Sequence, residues 1–97
     1  MYLEIVSPEA TLFSSDIDSV TVPGINGEFQ MLNNHVPIVS LLAPGTIKIS
    51  THNQGQIASD KLHATIVPHK DDNKVLTVAI QSGTLELKDN KVIILVE

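Results

Sequence analysis

Residues Val75 to Val96 constrain the fold more tightly than any other stretch of the chain. Val75-Leu76-Thr77-Val78-Ala79-Ile80 is dense in apolar and β-branched residues, Ser82-Gly83 interrupts it, and two further strand-like runs, Thr84 to Lys88 and Lys91 to Val96, flank Asp89-Asn90. Asp and Asn tolerate φ > 0, which a tight two-residue turn between twisted strands requires, so this is the pattern of a β-hairpin. With Lys88 opposite Lys91, Leu87 falls opposite Val92 and Leu85 opposite Ile94, making one apolar face. Ile93 and Leu95 remain on the other face beside Glu86. That second apolar set needs a cover, either another sheet of the same chain or a partner.

Upstream, the same period recurs in short pieces. Tyr2 to Val6 alternates weakly and stops at Ser7-Pro8, as a terminal strand does when proline closes it. Ala10 to Phe13 is a short apolar piece suited to crossing between sheets. Ile17 to Val22 alternates, with Asp18, Val20 and Val22 on one side and Ile17, Ser19 and Thr21 on the other. Pro37 to Leu42 is an apolar run of strand length, and Thr46 to Thr51 alternates again, so these two are expected to form a hairpin through Pro44-Gly45. His52 to Lys74 is polar and offers one strand, Leu62 to Val67, ended by Pro68. Eight or nine short strands at a spacing near ~10 residues, with no helical period, predict an all-β sandwich or barrel.

Ninety-seven residues suffice for a single domain, 1–97, with a modest core. The absence of cysteine excludes disulfides, thiol nucleophiles and cysteine zinc sites. The N-terminus lacks the basic and apolar regions of a signal peptide, and no run approaches the ~18 apolar residues of a membrane span, so direct membrane insertion is not expected. Eleven acidic residues against six lysines, without arginine, give a net charge of −5 that repels a phosphate backbone. With Tyr2, Phe13 and Phe29 the only aromatic residues, nucleic acid is not an expected partner.

Val22 to Pro37 concentrates turn chemistry and apolar side chains. Pro23-Gly24 and Asn26-Gly27 are turn dipeptides, Asn33-Asn34 turns the chain again, and Pro37 biases Val36 away from helix. Between the turns lies one short strand, Glu28-Phe29-Gln30-Met31-Leu32, with His35 beyond its exit. This framed segment reads either as a contact surface or as a plain hairpin with one core-facing side.

Catalytic motifs are missing: there is no glycine-rich phosphate loop, His-Glu-x-x-His helix or Gly-x-Ser-x-Gly elbow. His35, His52, His63 and His69 show no ligand spacing on a common element. Asp16 and Asp18 would share a strand face, yet they bring too few oxygen ligands for a cation. Glu28 and His35 could act as an acid–base pair if folded together, but no nucleophile accompanies them. Accordingly no catalytic residue, metal, cofactor or small-molecule substrate is expected.

The order of the motifs is specific where no single motif is. Leu3-Glu4-Ile5-Val6-Ser7-Pro8-Glu9, Leu12-Phe13-Ser14, Val20-Thr21-Val22-Pro23-Gly24, Gly27-Glu28-Phe29 and Asn34-His35-Val36-Pro37 are followed by Pro44-Gly45-Thr46-Ile47-Lys48-Ile49 and Ser82 to Val92. The series resembles the N-terminal β-sandwich domain of the epsilon subunit of the F-type ATP synthase, over all of the chain except His52 to Lys74. Asn33-Asn34-His35-Val36-Pro37 stands where the family commonly has Pro-Gly-His-Ala-Pro, and Thr84 where it has a second glycine. The family usually continues into a pair of C-terminal helices that brake the enzyme, which the residues up to Glu97 cannot provide.

What the resemblance implies is a two-sheet β-sandwich of about ten short strands with no catalysis of its own. It implies a rotor-stalk subunit, peripheral on the cytoplasmic face of the energy-transducing membrane, that joins the gamma subunit to the c-ring. Glu28, Phe29, Gln30 and Met31 would meet the c-ring loops; His35, Ile38 and Ser40 would lie toward gamma. The gamma interface is expected to be large and well packed, the ring contact smaller and more polar. A free-standing β-sandwich module that binds a ligand or a protein is the competing expectation.

Overall fold

The computed structural model describes residues 1–51, 66–68 and 75–97. Its regular elements are ten strands: β1 (Tyr2–Val6), β2 (Thr11–Asp16), β3 (Ser19–Gly24), β4 (Gly27–Leu32), β5 (Ile38–Leu42), β6 (Gly45–Ser50), β7 (Ile66–Pro68), β8 (Val75–Ile80), β9 (Gly83–Lys88) and β10 (Lys91–Val96). Hydrogen bonding orders them β2-β1-β10-β9-β5-β3-β6-β8-β7, with β4 on the side of β3. The path is continuous, yet β5 touches β3 through one residue pair, Gly24 with Leu42. At that joint the sheet folds over. Layer β2-β1-β10-β9-β5 then faces layer β4-β3-β6-β8-β7, and the chain is an all-β sandwich.

Pro23 explains why the joint is so short. Its carbonyl accepts the Ala43 N–H at 2.7 Å, and the Ile25 N–H donates to the Leu41 carbonyl at 3.2 Å. Proline has no N–H to return a second bond to Ala43, so the β3–β5 ladder ends there. Gly45 passes directly beneath the same proline: a Cβ on Gly45 would stand 2.8 Å from Pro23 Cβ, so only glycine lets β6 start this close.

The C-terminal hairpin forms in the expected register, Lys88 with Lys91, Leu87 with Val92 and Leu85 with Ile94. Asp89 and Asn90 take φ values of 52° and 62°, the left-handed pair of a tight turn. Three other expectations are corrected. Pro44-Gly45 does not close a hairpin: β5 pairs with β9, whereas β6 pairs with β3 and β8, so the connection carries the chain from one layer to the other. Pro23-Gly24 remains within β3, and the turn residues are Ile25-Asn26. Asp16 ends β2 whereas Asp18 lies in the link to β3, so the two share no strand face. Of the strand expected at Leu62 to Val67, the first part lies outside the described residues, as do His52, His63 and His69.

Alternation fills the space between the layers. Leu3, Ile5, Leu85, Leu87, Val92, Ile94 and Val96 from one layer meet Val20, Val22, Met31, Ile47, Ile49, Leu76, Val78 and Ile80 from the other in one buried cluster. In β2 the period breaks, since Leu12 and Phe13 are consecutive and both buried. The register supplies the reason: Phe13 pairs with Ile5 and Thr11 with Val6, so Leu12 is the extra residue of a β-bulge.

Leu85 is fully buried against both layers. Leu85→Ala is expected to cost about 2–5 kcal/mol, read from the urea midpoint at constant slope. A loss below about 1 kcal/mol would contradict its place in the core.

Candidate functional site

Directly paired residues share a sheet face, so the registers write out both outer surfaces. Across β1, β10, β9 and β5 one row reads Val6, Leu95, Thr84, Leu41 and the next Glu4, Ile93, Glu86, Val39. Of these, Leu95, Leu41 and Val39 are exposed, and Val39 retains 76% of its accessible surface. The outer face of β4-β3-β6 is different. Gln30, Thr21 and Lys48 form a row across it, with Glu28 beside them. The Lys48 Nζ lies 3.7 Å from Glu28 Oε2, a half-exposed ion pair worth about 0–1 kcal/mol. One outer face is therefore apolar with carboxylates, the other mainly polar, with Leu32 exposed at the end of β4.

The framed segment is the β3–β4 hairpin and the loop behind it. Gly27 adopts φ +125° immediately after the Ile25-Asn26 turn, a conformation that L side chains rarely adopt. Glu28 and Gln30 point outward, while Phe29 is half-buried and packs against the core cluster. Met31 departs from the expectation of a ring contact. It pairs with Val20 on the inner face and has no accessible surface, because an apolar residue of that parity belongs to the core. Glu28 lies near the start of β4, whereas His35 lies in the turn beyond its end, with its N–H bonded to the Leu32 carbonyl. The four residues from Glu28 to Leu32 alone span about 13 Å, so Glu28 and His35 form no acid–base pair. His35 is half-buried, and its Nδ1–H donates to the Val36 carbonyl at 2.7 Å.

On β5 the residues singled out by the sequence and those exposed by the structure are neighbours of opposite parity. Ile38 and Ser40 pair with Leu87 and Leu85 and so face inward, half-buried at the open side of the sandwich. Val39 and Leu41 face outward. An apolar run of strand length leaves the parity open, and only the pairing with β9 reveals it. Ile38, Ser40, Glu28 and Phe29 nevertheless come together, since all four line one groove of about 410 Å³ beside the β3–β4 hairpin. A larger groove of about 580 Å³ lies at the other end of β10, lined by Val6, Ser7, Ser82, Thr84, Leu95 and Glu97 among others.

Three segments distant in sequence are tied together beneath His35. The Met1 ammonium donates to Asn33 Oδ1 at 2.8 Å, and Asn90 Nδ2 donates to the same oxygen at 2.9 Å. The Asn34 N–H donates to Asn90 Oδ1 at 2.8 Å, with Asn34 at φ 63°. The N-terminus, the β4–β5 loop and the β9–β10 turn are thereby joined at one end of the sandwich. Asn33 and Asn34, together with Asn90, supply this lock.

The family described as "ATP synthase, Delta/Epsilon chain, beta-sandwich domain" matches residues 1–97. The chain belongs to that family. It is 40% identical over 81 residues to the ATP synthase epsilon chain of Campylobacter curvus, covering 81% of this chain and 60% of that one. To the epsilon chain of Chlorobaculum tepidum it is 32% identical over 95 residues, covering 98% and 86%. A chain in the solved central stalk and c-ring of the Tetrahymena thermophila mitochondrial ATP synthase has the same fold, with a TM-score of 0.68 at 15% identity over 98% of this chain and 61% of that one. The sandwich thus spans about 60% of the length of the Campylobacter relative.

The loop lock generates a comparison of two variants. Asn90→Ala removes two side-chain hydrogen bonds and places a Cβ residue without a compensating amide at positive φ, for an expected loss of about 2–3 kcal/mol in chemical denaturation. Asn90→Gly removes the same bonds but suits the backbone, and is expected to be the more stable of the two by about 1 kcal/mol. Equal stabilities would show that φ at this position carries no strain.

Proposed function

We propose that this chain is the sandwich of a rotor-stalk subunit of an F-type ATP synthase, joining the gamma subunit to the c-ring and coupling ring rotation to nucleotide chemistry performed by other subunits. The observation that carries the reading is the family match over residues 1–97. In this role the chain catalyses nothing itself. It is held at the cytoplasmic face of the energy-transducing membrane by its partners.

The contrast between the two outer faces supports a division of labour. A joint that transmits torque needs a broad apolar contact on the shaft side, and the Val39, Leu41 and Leu95 face offers one. We assign gamma to that face and to the adjoining His35, Ile38 and Ser40. The c-ring loops meet the polar side, at Glu28, Phe29 and Gln30, with Met31 fixing the strand from within. Repeated passage of a rotating load favours a stiff seat, and the hydrogen bonds tying Asn33 and Asn34 to Asn90 stiffen the end that carries His35.

Two substitutions on opposite faces separate the contacts. Leu41→Glu is expected to weaken gamma binding at least about tenfold in a calorimetric titration while the chain stays folded. Glu28→Lys is expected to leave gamma affinity within about threefold and to weaken attachment of the gamma-bound chain to c-ring membranes, increasingly so at low salt. Gamma affinity unchanged in both Leu41→Glu and Leu95→Glu would sink the assignment of that face.

A further inference from the structure

Four asparagines lie among the described residues, and three of them are held in place. Asn33 Oδ1 accepts from the Met1 ammonium and from Asn90 Nδ2, while Asn90 Oδ1 accepts from the Asn34 N–H. The His35 N–H, next along the chain from Asn34, donates to the Leu32 carbonyl at 3.1 Å. The residues that follow these three, Asn34, His35 and Lys91, all carry side chains. Asn26 is neither held nor hindered. It is exposed at the second position of the β3–β4 turn, and no described residue hydrogen-bonds its side-chain amide. Gly27 follows it, also exposed, and a Cβ built there would meet nothing within 4 Å.

That combination favours a particular reaction. In any asparagine the side-chain carbon Cγ lies within reach of the next residue's main-chain nitrogen, and a bond between them closes a five-membered ring. When the Gly27 nitrogen gives up its proton to solvent, its electron pair bonds Asn26 Cγ, and Nδ2 takes up a proton and leaves as ammonia. Water then opens the resulting succinimide. Breaking the bond from nitrogen to Cγ leaves aspartate; breaking the bond from nitrogen to the Asn26 main-chain carbonyl carbon leaves isoaspartate, whose chain runs through the side-chain carbons. The net exchange is one water for one ammonia, and nothing is oxidised or reduced. Asparagine is thermolabile for this reason, and glycine presents no Cβ to the closing ring. Gly27 also belongs to the last rung of its hairpin, paired with Gly24, and terminal rungs open while the rest of a fold stays closed.

We propose that Asn26-Gly27 is a self-modifying site, at which Asn26 passes through a succinimide to aspartate and isoaspartate, and that the isoaspartate form loosens the joint between the two layers. The site is a property of the chain itself and stands apart from any stalk partner. Its position gives it leverage. Gly24 pairs with Gly27 on one edge and with Leu42 on the other, and the Ile25 N–H donates to the Leu41 carbonyl at 3.2 Å. Isoaspartate inserts one more main-chain atom into a two-residue turn whose shape is set by the twist of its strands, so Gly24 and Ile25 cannot keep both sets of partners. Aspartate instead suits the turn, and adds only a negative charge two residues before Glu28.

Peptide mapping by mass spectrometry after storage of the folded protein in warm neutral buffer, with an isoaspartyl methyltransferase to count the isomer, tests the site. Asn26 is expected to convert at least about tenfold faster than Asn33, Asn34 or Asn90, with isoaspartate outnumbering aspartate. Asn26→Ser, which has no amide to lose, is expected to abolish conversion at this position. The chromatographically separated isoaspartate form is expected to melt at least about 4 °C below fresh protein, whereas freshly made Asn26→Asp stays within about 2 °C of it. Asn26 left intact while the other asparagines convert, or converted without any isoaspartate, refutes the succinimide site. An isoaspartate form that melts together with fresh protein refutes the loosened joint. Both measurements on the unsubstituted protein decide the matter even if neither variant folds.

Discussion

The pairing of Gly24 with Leu42 is the one contact on which the arrangement of everything else depends. It keeps a nine-strand path continuous while allowing it to double back, and the core exists only because the path doubles back. A longer β3–β5 ladder would hold the strands in one gently twisting surface with an exposed apolar side. Pro23 limits the ladder by lacking an N–H, and Gly45 lets the next strand pass under that proline. Four residues, Pro23, Gly24, Leu42 and Gly45, therefore decide that the molecule is two layers and not one.

Folding over has a cost on one side. Where β5 leaves the company of β3, and where β4 has, among the described strands, only β3 to pair with, the two layers end on the same flank in edges unpaired by any described strand. Buried clusters need their margins covered, and here the margin consists of Phe29 and Ile38, both half-exposed. In a solitary protein such a flank would be a liability for association. On the proposed reading of the chain as a stalk subunit, this flank is a margin that a partner would cover.

Much of this was legible before any coordinates. The last hairpin could be set in register because Asp89-Asn90 fixes the turn and because one choice of pairing makes Leu85, Leu87, Val92 and Ile94 coplanar. The strand at Val75 to Ile80 was equally plain. What resisted reading was always non-local. The parity of β5 depends on β9, more than forty residues away, so an apolar run of strand length left open which of its residues face inward. Likewise the mistaken hairpin at Pro44-Gly45 came from trusting adjacency in sequence. Met31 looked available because Phe29 and Leu32 flank it, and only the pairing with Val20 shows it turned inward. The tie between Asn33 and Asn90 has no sequence trace at all, since three common polar residues meet by virtue of the fold.

The layer containing β1 and β10 has one property of another kind. These strands run parallel, side by side in the middle of their sheet, although one lies at the beginning of the described chain and the other at the end. A growing polypeptide can pair β1 with β2 at once, but β1 gains its second neighbour only when β10 emerges, so the first layer closes late. A slow docking step on refolding is the natural companion of a sandwich in which β1 waits for β10.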